Sequence, residues 1–177
     1  AVRLGAQTIV CHIWGVPASD ACPETIYTRC GKLLALAGRY GLMLAAENCV
    51  CVHGSPLRHM EELAARWDGI GFTLDTRPAQ FHGELDAFSR SGLLRQGRVR
   101  HVHIGDYAGG FKEWDRLYPI PHPGEGKVDF PAFFAALRRE GYTGALTLES
   151  PCILPERVDT DTLNRDLRWI REGWERS

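Results

Sequence analysis

Five short apolar runs, each closing on a polar residue, constrain the fold of this chain more than any other feature. They are QTIVCH (7–12), LMLAAEN (42–48), IGFTLD (70–75), RVRHVHI (98–104) and GALTLE (144–149), with helical patterns between them. Side chains along a strand alternate between two faces. Ile9 and Cys11, Phe72 and Leu74, Val102 and Ile104, and Leu146 and Leu148 therefore share one face, suited to covering helices. Thr8 and His12, Ala45 and Glu47, Thr73 and Asp75, His101 and His103, and Thr147 and Glu149 share the other. Strands alternating with helices predict a parallel sheet with helical crossovers. A polar second face, with its last polar residue at each strand's C-terminal end, predicts the inner wall and functional rim of a barrel. His12, Glu47, Asp75, His103 and Glu149 then ring one rim. An open doubly wound sheet is the structural alternative, but acidic and imidazole groups on one parity of successive strands favour the barrel.

The intervening segments carry helix signals. Residues 23–39 run to a stop at Gly41, a residue that takes the left-handed cap. Ser55 and Pro56 have the character of an N-cap and a first helical position for LRHMEELAARW. Residues 84–96 form a helix interrupted at Ser91 and Gly92. Asp129 caps the helix that follows it, and residues 160–177 form a final amphipathic helix with Leu163, Leu167, Ile170 and Trp174 on one face. Five clear strands and a weak sixth, around PIPHPGEGKVDF, fall short of the eight of a closed (β/α)8 barrel. The chain has no initiator Met, and AVRLGAQ reads as the last turn of a helix leading into a strand. The expectation is one domain over residues 1–177: an α/β TIM (β/α)8-type barrel lacking its first two βα units, with six units present.

A net charge of −1 offers no basic stripe for a phosphate backbone, so no nucleic acid partner is expected. No apolar stretch approaches the length of a membrane span, and the opening residues lack a signal-peptide pattern, which suits a cytoplasmic setting without a membrane partner. The six cysteines include a C-x-C at Cys49 and Cys51 but no paired C-x-x-C, and are expected to be reduced thiols. Two glutamates, an aspartate and a histidine at one rim make an oxygen-rich donor set with one nitrogen. Such a set suits Mn²⁺, Mg²⁺ or Co²⁺, and less readily Zn²⁺. A divalent ion there would polarise a carbonyl and its neighbouring hydroxyl, and two carboxylates could move a proton between carbons through an enediolate.

LGAQTIVCH, LAAEN, FTLDT, HVHIGD, PGEGKVDFPAFFAAL and GYTGALTLES occur in an order and context that resemble the xylose isomerase-like TIM barrels, particularly the sugar phosphate isomerase/epimerase group. The resemblance covers nearly the whole chain and is specific for the superfamily rather than for a substrate. It implies that Glu47 and Glu149 are metal ligands and the acid/base pair, with Asp75 and His103 as the other ligands. It places LGAQTIVCH as a third strand and LTLE as an eighth. His12 would line the sugar site or help a second metal, and Asp106 would orient His103 or a substrate hydroxyl. The chain departs from the family pattern at Pro78 and Ile120, where histidines are common; both losses weaken an apurinic endonuclease site.

Other residues have two readings. His12 is a site residue or a satisfied core polar group, and His122 a substrate contact or a loop residue. Trp14, Phe111 and Trp114 cover a sugar or pack under their loops. His53, His59 and His82 are expected at the surface, Glu125 in a structural role, the GEG segment in a tight turn, and His101 one layer deeper than His103. The leading expectation is a divalent-metal-dependent sugar or sugar-phosphate isomerase or epimerase acting on a small-molecule carbohydrate, with a homo-oligomer possible. The rivals are a keto-inositol-type dehydratase, a metal-dependent apurinic endonuclease, and a truncated, non-catalytic barrel.

Overall fold

The period-two alternation becomes five strands: β1 Thr8–His12, β2 Met43–Glu47, β3 Gly71–Asp75, β4 Val99–Ile104 and β5 Ala145–Leu148. The structure is a computed structural model describing residues 1–15, 19–152 and 155–177. All neighbouring strands are parallel, in the order β1-β2-β3-β4-β5, and the sheet curls into a half-barrel. Register levels the rim. His12 lies opposite Glu47, Asp75 opposite His103, and His103 opposite Thr147.

The helices are α1 Pro23–Arg39, α2 Pro56–Arg66, α3 Thr76–Phe81, α4 Leu85–Arg90, α5 Gly92–Arg95, α6 Phe130–Arg139 and α7 Thr160–Arg176. The outer parity of the strands packs beneath them. Phe72, Leu74, Val102 and Ile104 are each 0% exposed and join one core with Met60 and Leu63 of α2 and the Phe130, Phe133 and Phe134 cluster of α6. Each such side chain stabilises the fold by about 1.5–3 kcal/mol through burial. Two start signals are met as expected, Ser55 accepting the Arg58 N–H and Asp129 that of Ala132, and Asp159, which the sequence did not mark, accepts that of Thr162. The break at Ser91 separates α4 from α5, with Ser91 in an extended conformation.

Four expectations need correction. The segment PIPHPGEGKVDF contributes no strand: β4 pairs directly with β5, so the described residues hold five strands, not six units. Pro119, Pro121 and Pro123 have no N–H for a ladder, which explains the loop. Second, α3 is an unanticipated helix, begun when the Asp75 side chain accepts the Arg77 N–H at 2.9 Å. Third, Leu167 of α7 is 44% exposed while Asp166 is buried, because Asp166 is held inward by His122. Fourth, His59 and His82 are buried rather than at the surface. Tyr27 Oη lies 2.6 Å from His59 Nδ1, and the Cys51 N–H donates to His82 Nε2 at 3.0 Å. Burial lowers the pKa of both imidazoles, His82 to about 4, so they enter the interior neutral. Among the described residues no helix is long and apolar enough to cross a membrane.

Candidate active site

Glu47 ends β2, His103 lies near the end of β4, and Glu149 follows β5, where its N–H donates to Ile104 O at 2.9 Å. These backbone positions aim all three side chains at one point. His103 Nδ1 is 2.7 Å from Glu47 Oε1 and 3.2 Å from Glu149 Oε1. His12 reaches in from β1, its Nε2 3.3 Å from Glu47 Oε2. Donor atoms of Glu47, His103 and Glu149 all lie within 4.8 Å of one another. Asp75 lines the adjoining cavity of about 240 Å³ together with His12, Asn48, Arg77, Tyr118 and Glu149.

The electrostatics are those of crowded carboxylates. Burial resists ionisation of Glu47, but the hydrogen bonds from His103 and His12 outweigh it and hold its pKa at about 2. Burial likewise opposes charge on His103, yet Glu149 and Glu47 raise its pKa to about 10. Asp75 has too little positive charge nearby: burial first, then the charge of Glu149, raise its pKa to about 7 despite Arg77. A proton on His103 thus holds two carboxylates together while a third is pushed toward neutrality. Two carboxylates and an imidazole converging on one point, with Asp75 alongside, fit a divalent cation by donor type and by charge.

Other expected site residues are placed elsewhere. Asp106 is fully buried, and its carboxylate accepts the N–H groups of Tyr107, Gly124, Gly126 and Val128 at 2.7–3.2 Å. It organises the GEG loop and does not line the Glu149 cavity. Gly126 is needed for that approach, since a Cβ there would fall 2.3 Å from Asp106 Oδ1. Trp14 is buried, donates Nε1–H to Val50 O at 3.0 Å and packs edge-on against His59 as part of the core. His122 pairs with Asp166 at 2.6 Å, outside the Glu149 cavity. Trp114 packs on Phe81, whereas Phe111 is 73% exposed. His101 sits below His103, ring centroids 5.1 Å apart, with its Nε2 2.8 Å from Thr147 Oγ1. All six cysteines are free of disulfides.

The sequence marks Asn48 only as a loop cap and does not single out Arg77. Asn48 clamps the backbone of Asp75: its Nδ2–H donates to Asp75 O at 2.9 Å, and its Oδ1 accepts the Asp75 N–H at 2.6 Å. Its place directly after Glu47 was a usable signal. Arg77, turned into the cavity by α3, brings Nη2 to 3.9 Å from Glu149 Oε2. Nothing in its local sequence marks that direction.

Strands, helices and cluster together define an α/β protein of barrel type, with a carboxylate–imidazole site at the C-terminal rim of its parallel strands. The profile of the family described as xylose isomerase-like TIM barrel matches residues 1–173, and the chain belongs to that family. An L-ribulose 3-epimerase from Methylomonas sp. (strain DH-1) is 34% identical over 91 residues, covering 51% of this chain and 27% of the relative. A xylose isomerase domain protein from Planctomyces limnophilus superposes with a TM-score of 0.70 at 21% identity, over 98% of this chain and 61% of its own. The IOLI protein with a binding zinc atom matches with a TM-score of 0.63 at 17% identity, over 96% and 62%. The chain thus spans less than two thirds of the length of each of these proteins. At these identities the solved structures speak for the fold.

Proposed function

We propose that the Glu47–His103–Glu149 cluster, with Asp75, is the divalent-metal and proton-transfer site of an enzyme that isomerises or epimerises a small sugar or sugar phosphate. The observation that carries this reading is the convergence of two carboxylates on one imidazole nitrogen, 2.7 and 3.2 Å away, beside an open cavity. The names of two similar proteins point the same way: one is an L-ribulose 3-epimerase, the other a barrel described with zinc. A bound divalent ion, Mn²⁺, Mg²⁺, Co²⁺ or Zn²⁺, would supply polarisation of a substrate carbonyl and the hydroxyl beside it. Glu47 and Glu149 would take a proton from the substrate carbon and return one. Glu149 is a third exposed and faces the cavity, so it can meet a ligand directly. Arg77 and His12, which line the same cavity, supply donors for substrate oxygens.

The test is exchange of substrate hydrogen with deuterated solvent, using ketopentoses and ketohexoses with and without added divalent ion. Exchange is expected only with the ion, and Glu149→Gln is expected to slow it by about 10²–10⁴-fold, the usual worth of a general acid/base. Exchange at the parental rate in that variant would remove Glu149 from proton transfer. Inversion at carbon, as against loss of water, separates epimerase from dehydratase chemistry in the same samples.

A further inference from the structure

A second cluster of ligand-type groups lies outside the cavity described above. Asp20 sits in the short 3-10 turn Ser19–Ala21, Cys51 in the loop after β2, and His59 on α2. Each offers one donor atom, and these atoms lie within 4.8 Å of one another. All three residues are buried, at 2%, 0% and 5% exposure respectively.

Two features of this cluster call for a cation. Asp20 accepts the N–H of Val52 at 3.1 Å through Oδ1, and those of His53 and Gly54, each at 2.8 Å, through Oδ2. Its partners are neutral amides, and among the described residues no lysine or arginine pairs with it. The second feature is His59 Nε2, a buried nitrogen with no hydrogen-bond partner. A buried nitrogen left without a partner is destabilising. Nε2 and Asp20 flank the same glycine: the Gly54 N–H is bound to Asp20, and a Cβ on Gly54 would fall 2.3 Å from Nε2. Any other residue at position 54 would cover that nitrogen.

We propose that Asp20, Cys51 and His59 form a second cation site, suited to a zinc-class divalent ion and separate from the rim cluster. Thiolate, imidazole and carboxylate form a donor set softer than the oxygen-rich rim, and it is one that zinc favours. Tyr27 supplies the outer support: with the His59 Nδ1–H donating to Tyr27 Oη, 2.6 Å away, the Nε2 lone pair is left for the ion. His82 holds the Cys51 backbone, its Nε2 accepting the Cys51 N–H at 3.0 Å and lying 3.7 Å from Sγ. Cys51 is a free, buried thiol in the metal-free chain. Binding exchanges the S–H bond for a sulfur–metal bond and releases that proton to solvent; no electron changes hands. A cavity of about 390 Å³, lined by Asp20, Tyr27, His53, Gly54, His59 and Glu62 among others, gives the ion a route in and room for a water as a further ligand. The comparable group His122, Cys152 and Asp166 lacks this case, since Asp166 is already paired with His122 and Arg165.

The test titrates the metal-stripped full chain and its Glu47→Gln variant with Co²⁺, whose thiolate complexes absorb in the near ultraviolet. The expected result is one equivalent carrying the thiolate-to-cobalt band in both proteins, with release of one proton per ion. That band is expected to vanish in Cys51→Ser with an unchanged far-ultraviolet circular dichroism spectrum, and to persist in Cys49→Ser. Should Cys51→Ser not fold, the Glu47→Gln chain decides alone: the band there supports the site, and its absence at saturating Co²⁺ overturns it. A band that survives in folded Cys51→Ser, or is lost in Cys49→Ser instead, also overturns it. None of these outcomes bears on proton transfer at the rim.

Discussion

Glu47, Asp75 and His103 carry the largest consequences at the scale of single residues, because their protonation is tied to folding. Glu47, with its pKa held at about 2 against an ordinary 4.5, contributes stability that is present above pH 4.5 and lost as pH falls toward 2. His103, raised from 6.5 to about 10, contributes stability that is complete below pH 6.5 and lost as pH rises toward 10. Asp75, raised from 3.8 to about 7, acts in the same direction as His103, and its share fades between those values. The cluster therefore favours the metal-free fold most near pH 4.5 and progressively less above it. The urea midpoint of the chelator-treated chain is expected to fall between about pH 5 and about pH 9. Glu47→Gln should flatten that fall, since it removes a partner that keeps His103 charged. Asp106→Ala is expected to cost at least about 1.5–3 kcal/mol, the worth of one hydrogen bond to a charged group, while leaving rim metal stoichiometry intact. The sequence placed Asp106 close to His103 but carried no sign that its carboxylate would turn to the amides of Gly124, Gly126 and Val128.

Among the elements, α2 shows how local code and tertiary contact combine. Ser55 accepts the Arg58 N–H, as its place before Pro56 predicts, and Glu84 accepts the Leu57 N–H at 3.1 Å while also taking the Ser55 hydroxyl. The cap was legible because it spans three residues; Glu84, twenty-seven positions from Leu57, was not. Ser55→Ala is expected to lower stability by about 1 kcal/mol in denaturant melts, the usual cost of losing an N-cap. The strands were equally legible, since alternation is a property of each strand alone. The helix α3 is hidden in the sequence because Asp75 both ends β3 and caps α3, so no turn residue separates the two patterns, and one side chain serves cap and rim.

For the molecule as a whole, a rim ion would join side chains from separate strands, so binding should appear as stability. Saturating Zn²⁺ or Mn²⁺ is expected to raise the thermal midpoint in a concentration-dependent way, by about 2.7 kcal/mol of free energy at a hundred times the dissociation constant. Chelator should reverse the gain, and Glu47→Gln should remove the rim's share of it. The sequence by itself determined the parallel α/β class, the two faces of every strand and the placing of Glu47, Asp75, His103 and Glu149 at one rim, because side-chain alternation and capping act over a few residues. Tertiary structure alone decided that β4 pairs directly with β5, that Trp14 packs in the core, that Asp106 turns to the loop amides, that Arg77 reaches Glu149, and that Asp20, Cys51 and His59 meet. Those outcomes depend on how loops far apart in the chain find partners for buried polar groups, and no local pattern encodes that pairing.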